Sequence, residues 1–74
     1  MQYTYKVSFL KEPEGGFTVS VPLLPGCITY GDTMDEAVEM AKDAISLYLE
    51  SLIAHGEPIP TEEQVFEHLV SVAV

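Results

Sequence analysis

The spacing of apolar residues changes once along this 74-residue chain, and that change constrains the fold more than any other feature. Up to Val21, apolar and polar residues alternate, which is typical of strands with one buried face. From Met34 onward, apolar residues recur at every third or fourth position, which is typical of an amphipathic helix. Gly31-Asp32-Thr33 separates the two patterns. The chain therefore predicts a small sheet covered by one helix.

Three strands are predicted before the helix. Alternating segments at 3–9 and 17–21 are separated by Gly15-Gly16, and a brief segment at 27–30 follows a Pro25-Gly26 turn. Connections this short predict an antiparallel meander. We expect the odd-numbered residues of the first two strands to face the helix.

The helix start is the best-specified point of the sequence. Thr33 and Glu36 have the spacing of a capping box, and Gly56 is suited to end the helix in a left-handed conformation. A broad apolar stripe is predicted between them, formed by Met34, Ala37, Val38, Ala41, Ile45, Tyr48, Leu49 and Leu52.

The last segment, 66–74, again alternates and predicts a fourth strand. A right-handed crossover through the helix would make it parallel to the first and third strands. The predicted fold is therefore α+β with the order β-β-β-α-β, in one domain spanning 1–74, with one helix on one face of the sheet. An apolar strand at an open edge invites another chain, so we expect a dimer or tetramer. The expected interface residues are Phe66, His68, Val70, Val72 and Val74.

Leu23 and Leu24 lie between Pro22 and Pro25 and have two interpretations. The commoner one is a plug that closes the end of the core. The other is an exposed apolar contact for a partner. We put the plug first and keep both leucines as candidate partner contacts.

Charge and cysteine content narrow the partners and the compartment. Three lysines and no arginine stand against twelve acidic residues, a net charge of −9. This surface repels phosphate backbones, so we expect no direct nucleic-acid binding, and it favours a basic partner. One cysteine permits no disulfide framework, and no apolar run approaches the ~20 residues that span a bilayer. We expect a cytoplasmic protein that uses no membrane.

No group of residues indicates catalysis. His55, His68 and Cys27 have no partners at the spacing of a metal site or a catalytic nucleophile. The acids near the helix start are accounted for by capping and by the helix dipole. We therefore predict no enzyme activity, no catalytic or metal-binding residue and no cofactor.

The central sequence resembles the HicB family of antitoxins. The resemblance rests on GFTVSVP at 16–22, LPGC at 24–27, TYGDT at 29–33 and DEA at 35–37, and continues to GEPIP at 56–60. It implies a partial ribonuclease-H-like fold of three strands, a helix and a fourth strand. It also implies binding and neutralisation of a HicA toxin, a small basic ribonuclease that cleaves messages.

The candidate contacts with such a toxin come from charge and not from a family motif. They are Glu36, Glu39, Asp43 and Glu50. Leu23 and Met40 depart from residues that are frequent in the family, and the carboxylate set of a true ribonuclease H is missing. Many members continue into a DNA-binding domain, whereas this sequence stops at Val74, so we expect none here. Two alternatives stay open: a stand-alone oligomeric module without a toxin and, ranked last, a metal-dependent nuclease.

Overall fold

The computed structural model describes residues 2–64, 66 and 68–74, and it has three strands and one long helix. Strands β1 (Ser8–Lys11), β2 (Phe17–Ser20) and β3 (Ile28–Gly31) precede helix α1 (Met34–Ala54), and a 3₁₀ turn follows at Glu62–Gln64. The strands are antiparallel with β2 in the centre. The prediction of an α+β fold built on a three-stranded meander is confirmed.

The first strand begins later than predicted. Ser8 lies opposite Ser20 at the end of β2, and Lys11 lies opposite Phe17. Pro22 follows Val21 directly and has no N–H to donate to a neighbouring strand, so β2 cannot continue to pair beyond this point. Residues 2–7 therefore have no neighbouring strand to pair with, although every second one of them is partly buried from Tyr5 onward.

The two ends of α1 are capped as the sequence predicts. Thr33 Oγ1 accepts a hydrogen bond from the N–H of Glu36 at 3.1 Å. The Glu36 carboxylate reaches back to the N–H of Asp32 at 2.7 Å, one residue before Thr33. At the other end, Gly56 has a φ of 67°, and Glu57 N–H donates to the Leu52 carbonyl at 2.9 Å. This bond closes the last turn of the helix.

The helix packs on β3 and β2, and the core lies between them. Its centre is formed by Val19, Ala37 and Ala41, which are each at most 4% exposed. The predicted inward face of the sheet is confirmed, because the partly buried side chains against this centre are Val7, Phe9 and Phe17. The helical stripe is narrower than predicted: Met34 is 44% exposed and Val38 is 38% exposed.

A second core cluster closes one end of the domain. Val21, Leu24 and Cys27 are buried there. Leu24 is completely buried, and the N–H of Cys27 donates to its carbonyl at 3.0 Å. Leu24 is therefore the plug, because its side chain has no surface left for a partner. Leu23 is only partly buried.

Gly31 brings β3 against the first turns of the helix. A Cβ placed on Gly31 would lie 2.4 Å from the Ala37 nitrogen and 2.5 Å from its Cα. Real side chains do not approach backbone this closely. Gly31 is thus required by the distance between strand and helix rather than by an unusual φ.

The fourth strand predicted at Phe66–Val74 is not confirmed. The described residues there, 66 and 68–74, belong to no strand, and Val65 and Glu67 lie outside the described part. Phe66 is 94% exposed and Leu69 is 97% exposed. A strand needs a neighbour to satisfy its main chain, and the described residues of this segment are paired with no strand of the described part of the chain.

The chain is held to the N-terminal segment just before this point. Tyr5 Oη donates to the Pro60 carbonyl at 2.6 Å, and Lys6 N–H donates to a Glu62 carboxylate oxygen at 2.8 Å. The Lys6 ammonium lies 3.7 Å from the other Glu62 oxygen. Residues 60–62 therefore lie beside residues 5–6.

Replacing the plug tests the second cluster. Leu24→Ala should lower the free energy of unfolding by about 2–5 kcal/mol, because it leaves a cavity in a closed site. Leu23→Ala, its neighbour in the same loop, should cost less than about 1 kcal/mol. Urea denaturation followed by circular dichroism measures both. Equal losses for the two variants would contradict the assignment of Leu24 as the plug.

The close approach at Gly31 gives a second test. Gly31→Ala should cost at least about 2 kcal/mol, since the added methyl group meets helix backbone that has no room to move aside. Ile28→Ala on the same strand is the control, because Ile28 is 65% exposed. Thermal and urea unfolding compare the two, and a Gly31→Ala protein as stable as the control would show that the helix can shift freely.

Candidate partner-binding surface

The outer face of α1 carries a regular pattern of acidic and apolar side chains. The residues on this face that alternate in steps of four and three form what we call the outer stripe: Glu36, Met40, Asp43, Leu47 and Glu50. Such steps keep side chains on one side of a helix. Ala37 and Ala41 fix the opposite side against the sheet. The outer stripe therefore faces away from the core.

Two apolar side chains interrupt the negative charge of this stripe. Met40 is 38% exposed and Leu47 is 67% exposed. Neither was predicted as a site residue. They lie seven residues apart on the polar side of the helix, outside the apolar stripe predicted from the sequence, and only charged residues of that side were predicted as contacts. The stripe combines apolar contact area with an acidic surround.

The predicted acidic contacts differ in whether their carboxylates already contact other groups of the domain. Glu36 already uses one oxygen to cap the helix. Glu39 lies beside the stripe and its carboxylate is 3.6 Å from the Lys42 ammonium, with both side chains more than two-thirds exposed. A pair this exposed contributes little to stability. Asp43 and Glu50 are exposed on the stripe.

The other predicted contacts are dispersed. Leu24 lies in the core and Leu23 lies at its margin, away from the outer stripe in the β2–β3 loop. The residues expected in an oligomer interface, Phe66, His68, Val70, Val72 and Val74, are all exposed in the single chain. The structure thus brings together the helical acids but not the leucines.

A shallow cavity of about 460 Å³ lies between the N-terminal segment and residues 61–63. Tyr3, Tyr5 and Glu62 are among its lining residues. Burial raises the pKa of the Tyr5 hydroxyl, and the nearby Tyr3 and Glu62 raise it further. The Tyr5 hydroxyl therefore stays protonated and donates to Pro60. The cavity is thus lined by residues from the start of the chain and from the segment that follows the helix.

The residues with catalytic potential are engaged in structure. His55 caps the helix, with Nδ1 2.7 Å from the Ser51 carbonyl oxygen, and His68 is exposed. Cys27 is buried, and burial raises the pKa of its thiol. Within the described residues, no three His, Cys, Asp or Glu side chains lie close enough together to hold a metal ion. No helix in that same part of the chain is long and apolar enough to cross a membrane.

The structure is a small antiparallel sheet covered by one helix, with exposed apolar and acidic side chains on the helix and an exposed terminal segment. The chain belongs to the HicB-like antitoxin family of bacterial toxin–antitoxin systems, whose model matches residues 5–72.

Individual proteins agree with that family. The chain is 43% identical over 67 residues to the UPF0150 protein ssr1765 of Synechocystis, covering 90% of this chain and 85% of that protein. It is 40% identical over 68 residues to antitoxin HicB 1 of Photorhabdus laumondii, covering 92% of this chain and 44% of that protein. It thus spans less than half of that antitoxin.

A solved structure has the same fold. The crystal structure of the N-terminal domain of Burkholderia pseudomallei antitoxin HicB superposes with a TM-score of 0.66 at 28% identity, covering 92% of this chain and 95% of that one. The predicted resemblance to HicB antitoxins is confirmed.

The buried thiol gives a test of the core around Cys27. Iodoacetamide should alkylate the folded protein at least about tenfold more slowly than the unfolded chain, because only the exposed thiolate reacts. The raised pKa also means that the rate continues to increase at pH values where the reaction of the urea-unfolded control has already levelled off. Mass spectrometry follows both reactions. Equal rates in the two states would show that Cys27 is accessible.

Proposed function

We propose that this chain is an antitoxin that binds and neutralises a small basic HicA-type toxin which cleaves mRNA. The outer stripe of α1 is the surface that meets the toxin. The observation that carries this assignment is the exposed alternation of Asp43 and Glu50 with Met40 and Leu47. Membership of the antitoxin family supports the class of function.

The chemistry of the stripe suits a basic protein partner. Apolar side chains at its middle supply area to be removed from water, and the surrounding carboxylates select Lys and Arg on the partner. A net charge of −9 accelerates the encounter with a basic protein and repels nucleic acid. An antitoxin with these properties acts by covering its toxin, without a reaction of its own. We place it in the cytoplasm, because a protein whose one cysteine is a free, buried thiol has no disulfide that would require an oxidising compartment.

We also infer that the chain self-associates through the segment 66–74, as a dimer or tetramer. Its alternating pattern supports the fourth, parallel strand of a partial ribonuclease-H-like fold. The contacts of Tyr5 with Pro60 and of Lys6 with Glu62 support it too, because they bring the chain just before this segment beside the residues that lead into β1. The exposure of Val70 and Val72, 78% and 79%, favours an interface over an isolated strand.

A stand-alone oligomeric module is the second candidate. The exposed segment 66–74 favours it, because self-association alone would cover that segment. The absence of a gene for a small basic protein beside the gene for this chain would select this alternative.

Charge reversal on the outer stripe tests the toxin contact. Asp43→Lys with Glu50→Lys should weaken binding to the small basic protein encoded next to this chain at least about tenfold, mostly through slower association. Glu14→Lys with Glu57→Lys changes the net charge equally at exposed positions off the stripe and should have a smaller effect. Surface plasmon resonance at low and high salt measures both.

A matched pair of substitutions tests the apolar part of the outer stripe. Leu47→Asp should abolish rescue of growth in cells that express the toxin, whereas Ile53→Asp should retain it. Leu47 and Ile53 are equally exposed, at 67% and 65%, but only Leu47 lies on the stripe. Equal behaviour of the two variants, in binding and in rescue, would place the toxin elsewhere on the domain.

A further inference from the structure

Strand β3 is an edge of the sheet, because β2 is its only neighbouring strand in the described part of the chain. The N–H of Val21 bonds to the Cys27 carbonyl at 3.1 Å, in the same register that pairs the two strands. In an antiparallel ladder such bonded pairs recur at every second residue. The main-chain groups of Ile28 and Tyr30 therefore point away from β2, toward the open side of β3.

The edge of β3 lacks the features that usually protect such a strand. Edge strands are commonly guarded by lysine, proline or inward-pointing charges. The four residues from Ile28 to Gly31 include none of these. The Tyr30 side chain is turned away from the edge, because its hydroxyl donates to the Gly15 carbonyl at 3.0 Å and its ring lies against Gly16 in the β1–β2 turn. The edge is thus open to an extended chain.

The outer stripe of α1 lies above this open side of β3. The helix covers β3 and β2, and Ile45 packs in the second core cluster, as do Tyr5 and Val7, which lead into β1. Leu47 follows Ile45 by two residues and therefore lies about 160° around the helix from it. Met40, seven residues earlier, shares the side of Leu47. We call the space between these two side chains and the edge of β3 the edge groove.

The surroundings of the edge groove are acidic. Asp32 follows β3 directly, and Glu36 and Asp43 lie on the outer stripe above it, all of them exposed. Of the three lysines, two lie in or next to β1, and Lys42 pairs with Glu39. A second copy of this chain would bring the same net charge of −9 to this place, whereas a basic protein is attracted to it.

We propose that the edge groove binds an extended segment of a basic protein, which adds a strand to β3 and packs alternate side chains beneath Met40 and Leu47. Main-chain hydrogen bonds to Ile28 and Tyr30 hold the strand, while the apolar side chains and the nearby acids select its sequence. Because β3 spans about 13 Å, the added strand pairs over about four residues. This inference rests on the proposed function and deepens it, because it names how the toxin surface of α1 and the sheet hold the same partner.

Amide hydrogen exchange, followed by NMR, tests the added strand. The complex is formed with the small basic protein encoded next to this chain. The amides of Ile28 and Tyr30 should exchange at least about tenfold more slowly in the complex than in the free chain, because the new hydrogen bonds protect them. The amides of Phe9 and Lys11, in the strand at the opposite edge, are the control and should show no such change.

Proline substitution removes one of the proposed hydrogen bonds. Ile28→Pro lacks the outward N–H, and proline is tolerated at such edge positions, so the variant should bind at least about tenfold more weakly. Ile28→Ala keeps the N–H and should lose less. Lys11→Pro is the matched control at the opposite edge, where the N–H also points outward because the next residue, Glu12, bonds to Gly16. Surface plasmon resonance measures binding and circular dichroism verifies folding. If Ile28→Pro does not fold, the exchange measurement decides.

The outcomes separate this inference from the antitoxin assignment. Binding without slower exchange at Ile28 and Tyr30, or equal affinities of the folded Ile28→Pro and Lys11→Pro variants, would overturn the added strand and leave the antitoxin assignment standing. A wild-type chain that does not bind the basic protein would overturn both. Slower exchange of the two amides with rising concentration of the chain alone would assign the edge to a second copy and overturn the inference.

Discussion

The close approach of β3 to α1 at Gly31 and Ala37 determines where everything else in this domain lies. Ala37 is completely buried, and no side chain larger than hydrogen fits opposite it. This contact fixes the height of the helix above the sheet and its rotation about its own axis. The rotation directs Ala41 inward and therefore directs Asp43 and Leu47 outward. The binding face is thus a consequence of how tightly the other face packs.

Local signals predicted the parts of the fold that depend on neighbours in sequence. The capping box at Thr33, the hairpin turn at Gly15-Gly16 and the inward residues of β2 follow from rules that act over a few residues. The width of the helical stripe did not follow from them. Met34 and Val38 have the right spacing for the core, but the first half of α1 packs through Ala37 and Ala41, which leaves these larger residues partly in solvent.

Only the charged part of the candidate site was predicted from the sequence. Charge alone identified Asp43 and Glu50, since acids on the polar side of a helix are visible in the sequence. Met40 and Leu47 were missed, because they lie outside the predicted apolar stripe and the candidate contacts on the polar side of the helix were chosen by charge alone. The fourth strand was predicted from the sequence but is not confirmed in the structure, for a different reason. Its pattern indicates a strand, but a strand forms only where a free edge is within reach.

The two exposed surfaces lie on different sides of the domain, and this separation has a consequence for assembly. The outer stripe is on the far side of α1, whereas the open edge of β1 lies at the margin of the sheet that the helix does not cover. A toxin bound to the outer stripe, as proposed, would therefore leave the edge of β1 uncovered.

Self-association also addresses the small size of the domain. A chain of 74 residues buries only about three-fifths of its unfolded surface, so its core alone gives marginal stability. Mass action then makes the folded state depend on the concentration of the second copy. If the proposed toxin and a second copy bind the folded domain at separate sites, each would stabilise the conformation that the other needs.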